Sequence, residues 1–193
     1  MGAYTFYPKP NLSKRYHAQY IETYLLRNLP ITGPNQVWGV DITYIRMEKG
    51  FRYLFVILDW SSRKIVDFEL SNTLDKAFVM NCFKRALRRA KPEIINSDQG
   101  GHFTNQDYIA LLEKAGVKIS MDGKVQALDN ARTERFFRTI KYDLIYIHEF
   151  DSPRDLRRAI AEYMALYNTY RPHSSIGGLC PDEVYNAGLS EAA

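Results

Sequence analysis

Long apolar runs are missing from this chain of 193 residues. A membrane-spanning helix needs about 18 or more apolar residues in succession, so no span is expected. Residues 1–10 also lack the apolar core of a secretory leader. Cysteine is scarce. Cys82 and Cys180 are too few for a disulfide framework or a four-ligand zinc site, and a reducing, cytoplasmic setting suits that number. A strong charge excess is lacking too: 26 basic residues face 22 acidic ones, for a net charge of +4, which by itself barely favours a nucleic-acid partner. No internal repeat or low-complexity tract is present. With 46% hydrophobic and 25% charged residues, wholesale disorder is excluded. The length suits one domain with an appendage.

Residues 1–34 read as an irregular, partly extended lead-in, punctuated by Pro8, Pro10, Pro30 and Pro34. The pattern changes after that, and residues 35–193 read as the folded core. Val37 to Ile45 is rich in β-branched and aromatic residues, as a strand requires. Lys49-Gly50 supplies a turn. Tyr53 to Leu58 is almost wholly apolar, as expected of a strand buried on both faces. A third strand runs from Lys64 to Leu70. Phe78, Cys82, Ala86 and Leu87 recur at helical intervals within a helix expected over Thr73–Ala90, stopped by Pro92. Glu93–Ser97 and Val117–Ser120 read as short strands, separated by a helix over Asn105–Ala115 that Gly116 closes. A further helix is expected to start near Asp129 or Asn130 and reach about Tyr146. The last runs from Pro153 to about Tyr167.

Three strands joined by turns pair antiparallel, and strands separated by helices pair parallel. The expected fold is therefore α/β, with a mixed five-stranded sheet and helices on both faces.

Three carboxylates stand out. Asp41 is a charge inside an apolar strand, costly unless paired, bound to a metal or turned outward to solvent. Asp98 lies where a buried strand ends, the edge at which α/β proteins concentrate their sites, although a turn or capping aspartate would read the same. Gln99-Gly100-Gly101 after it lets the backbone turn sharply. Glu134 shares a helix face with Arg138 and Lys141, where an ordinary surface ion pair is the alternative. Together, acids on the first strand, at the end of the fourth and on a late helix would make an all-oxygen cage for Mg²⁺ or Mn²⁺. Two such ions support phosphodiester displacement. The basic residues Arg132, Arg135, Arg138 and Lys141 flank Glu134, while Arg85, Arg88, Arg89 and Lys91 form a second cluster. Either cluster is a nucleic-acid contact or a solvated helix face.

The stretches Asn35–Ile45, Leu58–Lys64, Asn96–Gly100, Asp129–Phe137 and Tyr167–His173 resemble, in order, the integrase-core transposases with a DDE triad. The resemblance is strongest to the OrfB-type transposases of bacterial insertion sequences, and the lead-in Tyr7–Arg15 shares it. It implies a ribonuclease-H-like fold and names Asp41, Asp98 and Glu134 as the catalytic triad, holding two Mg²⁺ ions that Mn²⁺ can replace. The implied chemistry is hydrolytic nicking at element ends followed by attack of the freed 3′-hydroxyl on target DNA, in a homo-oligomer that synapses the ends. Asn130 is implied as a substrate contact, with helix capping as the alternative. Lys124, Arg132, Arg135, Arg138 and Lys141 are the expected DNA-binding residues. Family members carry a helix-turn-helix region upstream, and this chain is expected to lack it. Gly101-His102-Phe103 departs from the family pattern. His102 reads as polar filling of the loop or as a proton shuttle, and His173 as a support of the C-terminal segment. A retroviral-type integrase, a plain nuclease and a non-catalytic module that dimerises with or modulates an intact transposase are the competing readings.

Overall fold

The computed structural model describes residues 21–122 and 130–191. Strands β1 (Val37–Arg46), β2 (Phe51–Asp59) and β3 (Ile65–Ser71) are followed by helix α1 (Lys76–Ala86). Then come β4 (Ile94–Ser97), α2 (Gln106–Lys114), β5 (Lys118–Met121), α3 (Ala131–Ile140), α4 (Pro153–Thr169) and α5 (Pro181–Glu191). The sheet order is β3-β2-β1-β4-β5. β1 pairs antiparallel with β2, as β2 does with β3, whereas β1–β4 and β4–β5 are parallel. This is the mixed sheet expected from the order of turns and helices.

Both faces of the sheet are covered. Along β2, Leu54, Val56 and Leu58 enter a core built with α3 and α4, and the alternate Phe55 and Ile57 enter a second core built with α1 and α2. That two-sided burial is what a nearly continuous apolar strand demands. α1 is shorter than expected at both ends. Asp75 caps it by accepting from the Phe78 amide at 3.1 Å, and the chain leaves it at Leu87, well before Pro92. Asn105 caps α2 in the same way through the Tyr108 amide at 3.0 Å. Gly116 takes up φ +66° just beyond that helix, a left-handed stop that suits glycine. α3 passes at Lys141 into one π-helical stretch, Lys141–Ile145.

One feature departs from the sequence reading. α4 is not the last helix, because α5 follows it and docks through the Tyr185 hydroxyl on Asn35 Oδ1 (2.9 Å) and Lys64 on Asp182 (2.7 Å). Residues 21–34 of the lead-in contact the core. Leu26 is buried among α3–α4 core residues, and the Leu25 amide donates to Ser120 Oγ at 3.1 Å.

Candidate active site

Strand register brings the carboxylates together. Gly39 pairs with Asn96 across β1–β4, and Ser97 with Met121 across β4–β5. Carrying each register one or two residues onward sets Asp41, Asp98 and Asp122 level across three adjacent parallel strands. The Asp122 amide donating to Ser97 O at 3.0 Å prolongs the ladder to that point. By the alternation of strand side chains, Asp41 lies on the same face as Val37 and Ile45, the face that α3 and α4 cover. It is therefore not an outward-facing residue on a half-open strand.

α3 is drawn unusually close to β1 by Gly39. A Cβ there would collide with Trp60 Nε1 and sit 2.6 Å from Thr133 Oγ1, so only glycine leaves room for the helix. Asn130 assists, donating from Nδ2 to Val40 O at 3.4 Å. Its side chain makes no capping bond and is only 5% exposed, so the capping alternative gives way to a tie between α3 and β1. Thr133, Phe136, Phe137 and Ile140 are buried, which leaves Glu134, Arg135 and Arg138 on the exposed face. No ion pair joins Glu134 to Arg138 among the described residues, so a routine helix-surface pair does not account for Glu134.

The electrostatics concentrate on Asp41. Burial pushes its carboxyl up to about 7, with Asp98, Glu134 and Asp122 each adding like-charge repulsion and the Ile42 amide opposing the rise. Asp98 is exposed and accepts from the Gly100 amide at 2.8 Å, the sharp turn that the glycines permit. Asp122, which sequence reasoning left in a polar loop, accepts from Asn96 Nδ2 at 2.8 Å. Its place in the row follows from the β4–β5 register, a signal that spacing along the chain does not carry. Among the described residues, no three His, Cys, Asp or Glu side chains converge closely enough to form a ready-made metal cage.

Beside Glu134 opens a groove of about 870 Å³, into which α3 contributes Arg132, Arg135 and Arg138. Arg132 also donates to Trp60 O at 3.3 Å and lies 5.0 Å over the Trp60 ring. Lys141 is half-buried and outside this groove, and Lys124 lies outside the described residues. Arg63 and Arg171 line the groove as well, although neither was singled out from sequence.

Two members of the second basic cluster, Arg85 and Arg89, are tied to β3. Arg85 clamps Asp67 at 2.9 Å and Glu69 at 2.8 Å on β3, and Arg89 approaches Asp67 at 3.6 Å. His102 packs its ring against Phe78 and Phe103, and burial lowers its pKa. His173 organises the segment after α4: its carbonyl accepts from Ile176 and Gly178, and its ring meets Tyr167 at 4.7 Å.

Two stretches of the chain match integrase core domain families, residues 31–126 and residues 115–181. The transposase InsF of insertion sequence IS3A from Escherichia coli (strain K12) is 34% identical over 173 residues, covering 88% of this chain and 60% of that protein. The transposase of insertion sequence element IS904 from Lactococcus lactis is 36% identical, covering 81% of this chain and 64% of that one. The chain thus spans less than two thirds of the length of these relatives. Among solved structures, the HTLV-2 integrase catalytic core domain in complex with magnesium superposes with a TM-score of 0.61 at 20% identity, over 79% of this chain and 97% of that one. The BIV integrase catalytic core gives 0.64 at 19%, over 82% and 98%. The sheet and its flanking helices are thus those of a ribonuclease-H-like integrase core. Both halves of that fold are matched in chain order, from the strands that carry Asp41 and Asp98 to the helix that carries Glu134, and the chain belongs to the integrase core family.

Proposed function

We propose that this chain is the catalytic core of a DNA strand transferase of insertion-sequence type, with Asp41, Asp98 and Glu134 as its catalytic and metal-binding triad. It nicks phosphodiesters at element ends and joins the freed 3′-hydroxyl to target DNA. The observation that carries this reading is the level placement of Asp41 and Asp98 by the register of adjacent parallel strands, with Glu134 lining an arginine-rich groove.

The donor set fits a divalent cation. Three carboxylates offer only hard oxygen ligands, the chemistry of Mg²⁺ and Mn²⁺. Asp41 is held at about 7 by burial and like charge, a strain that a bound cation relieves. Asp41, Asp98 and Glu134 are the residues that would hold the metal. When bound, two such ions activate the attacking oxygen and stabilise the leaving one.

The chain's own residues do the rest. Arg132, Arg135, Arg138, Lys141 and Lys124 neutralise backbone phosphates. Asn130 fixes the start of α3 against β1, and so the height of Glu134 above the acid row. Residues 1–34 lead into the core at 35–193, which acts in the cytoplasm as a homo-oligomer when two DNA ends are brought together.

The test is a joining assay. An end-labelled duplex oligonucleotide and supercoiled plasmid are incubated with the protein in Mn²⁺. Nicked plasmid together with label covalently joined to plasmid is expected. Nicking without joining makes the chain a plain nuclease. DNA binding without either product makes it a non-catalytic module.

A further inference from the structure

The groove beside Glu134 is more than the exposed face of α3. It is also lined by Arg63, from the β2–β3 turn, and by Arg171 and His173, from the segment after α4. Arg171 has an acidic partner in Asp143. Among the described residues, Arg63, Arg132, Arg135 and Arg138 have none, and Glu134 is the one acid that lines the groove.

Arg63 is built into place. The turn is fixed by Asp59, which accepts from the Ser62 amide at 2.8 Å, from Ser62 Oγ at 2.7 Å and from the Asn35 amide at 2.7 Å. The Arg63 amide donates to Asp59 O at 2.9 Å, and Arg63 itself sits at φ +68°. That left-handed conformation is unusual for a residue with a long side chain. It carries the guanidinium toward Arg132. Burial lowers the pKa of both arginines, and for Arg63 the neighbouring Arg132 charge adds to the effect. His173 keeps a buried Nε2 without a partner. Burial and the charges of Arg171 and Arg63 hold its pKa down, so it enters as a neutral ring able to donate one hydrogen bond.

Two half-buried arginines side by side, reached by the buried Asp59 charge but ion-paired to no acid among the described residues, next to an unpartnered buried nitrogen, form a pocket that lacks an anion. The planar guanidinium fork matches phosphate geometry. The groove, of about 870 Å³, is too large for a single free ion and has Glu134 in its lining, so the fitting anion is one phosphate of a longer strand. We propose that Arg63, Arg132 and His173 hold a backbone phosphate of the DNA strand at the inner end of this groove, a contact separate from the outer rim of Arg135 and Arg138. The contact rests on the strand-transferase reading above and adds to it the path by which one strand reaches Glu134.

The experiment is fluorescence anisotropy with a labelled duplex of arbitrary sequence, in EDTA, between about 50 and 200 mM salt, where each phosphate contact adds about 0.9 to the slope of log affinity against log salt. Arg63→Asn keeps a residue that tolerates positive φ and removes the charge, while Arg63→Lys keeps the charge. His173→Gln keeps a donor-bearing side chain, and Arg88→Ala removes an exposed arginine outside the groove. Thermal melts confirm that each variant is folded. Arg63→Asn is expected to weaken binding and flatten the slope by about 0.9, with Arg63→Lys and Arg88→Ala close to wild type. If Arg63→Asn matches wild type or Arg88→Ala while Arg138→Ala weakens binding, the inner contact is wrong and the strand-transferase reading stands. If wild type binds no DNA, both fall.

Discussion

Asp41→Asn should stabilise the metal-free protein. In the folded chain, burial and the Asp98, Glu134 and Asp122 charges hold this carboxyl at about 7, against an ordinary 3.8. That difference opposes the ionised form by about 4 kcal/mol at about 1.36 kcal/mol for each factor of ten, an upper figure because relaxation and water entry reduce it. The sign follows from linkage. A carboxyl whose folded pKa is raised costs nothing below its unfolded value, where both states are protonated. The cost grows as pH rises from about 4 and levels off above about 7. Asparagine carries no charge and can still accept from the Ile42 amide, which reaches Asp41 Oδ1 at 2.7 Å. Urea unfolding in EDTA should therefore show wild type and variant alike at pH 4 and the variant more stable at pH 8. Adding Mn²⁺ should narrow the gap, since a ligand at a hundred times its Kd stabilises wild type by about 2.7 kcal/mol and the variant has lost a donor. A variant less stable than wild type at pH 8 in EDTA would refute the reasoning.

Two further changes test the frame around the site. Gly39→Ala places a methyl against Trp60 and 2.6 Å from Thr133 Oγ1, so urea unfolding should show a loss of about 2–3 kcal/mol from overpacking. Nicking should fall by more than the unfolded fraction explains, because α3 lifts Glu134 away from the acid row. Arg85→Ala leaves Asp67, whose side chain is 7% exposed, with the Phe68 amide at 2.8 Å and Arg89 at 3.6 Å. A loss of about 2–3 kcal/mol is expected, less than for a fully buried pair because Arg85 is 32% exposed. DNA affinity in that variant should be unchanged.

Much of this molecule was legible in its sequence because the informative features are local. The apolar run at Tyr53–Leu58 announces a two-faced strand, and the alternation of turns and helices fixes which neighbours are parallel. Asp41 is visible as a charge inside an apolar strand, whereas Asp98 and Glu134 read equally as a turn aspartate and a surface ion-pair residue until the resemblance groups them. The rest depends on contacts between distant segments. Asp122 gains its meaning from the β4–β5 register, and Arg63 meets Arg132 only because a turn and a helix pack across Trp60. α5 went unseen because its pattern is weak. Of its residues only Pro181 and Tyr185 are buried, too few to mark a face. The basic run Arg85–Lys91 stayed ambiguous for the opposite reason: its charge is plain in the sequence, but the acidic partners of Arg85 and Arg89 are on β3.

Nicking of supercoiled plasmid in Mn²⁺, wild type beside Glu134→Gln, tests the central claim most directly. The account predicts nicking by wild type, none by the variant, and matching melting curves and DNA affinities for the two, since Glu134 is exposed and supports no core contact. Equal nicking by both proteins would contradict the assignment of Glu134 to the reacting centre. Nicking by neither would contradict the reading of this chain as an active core.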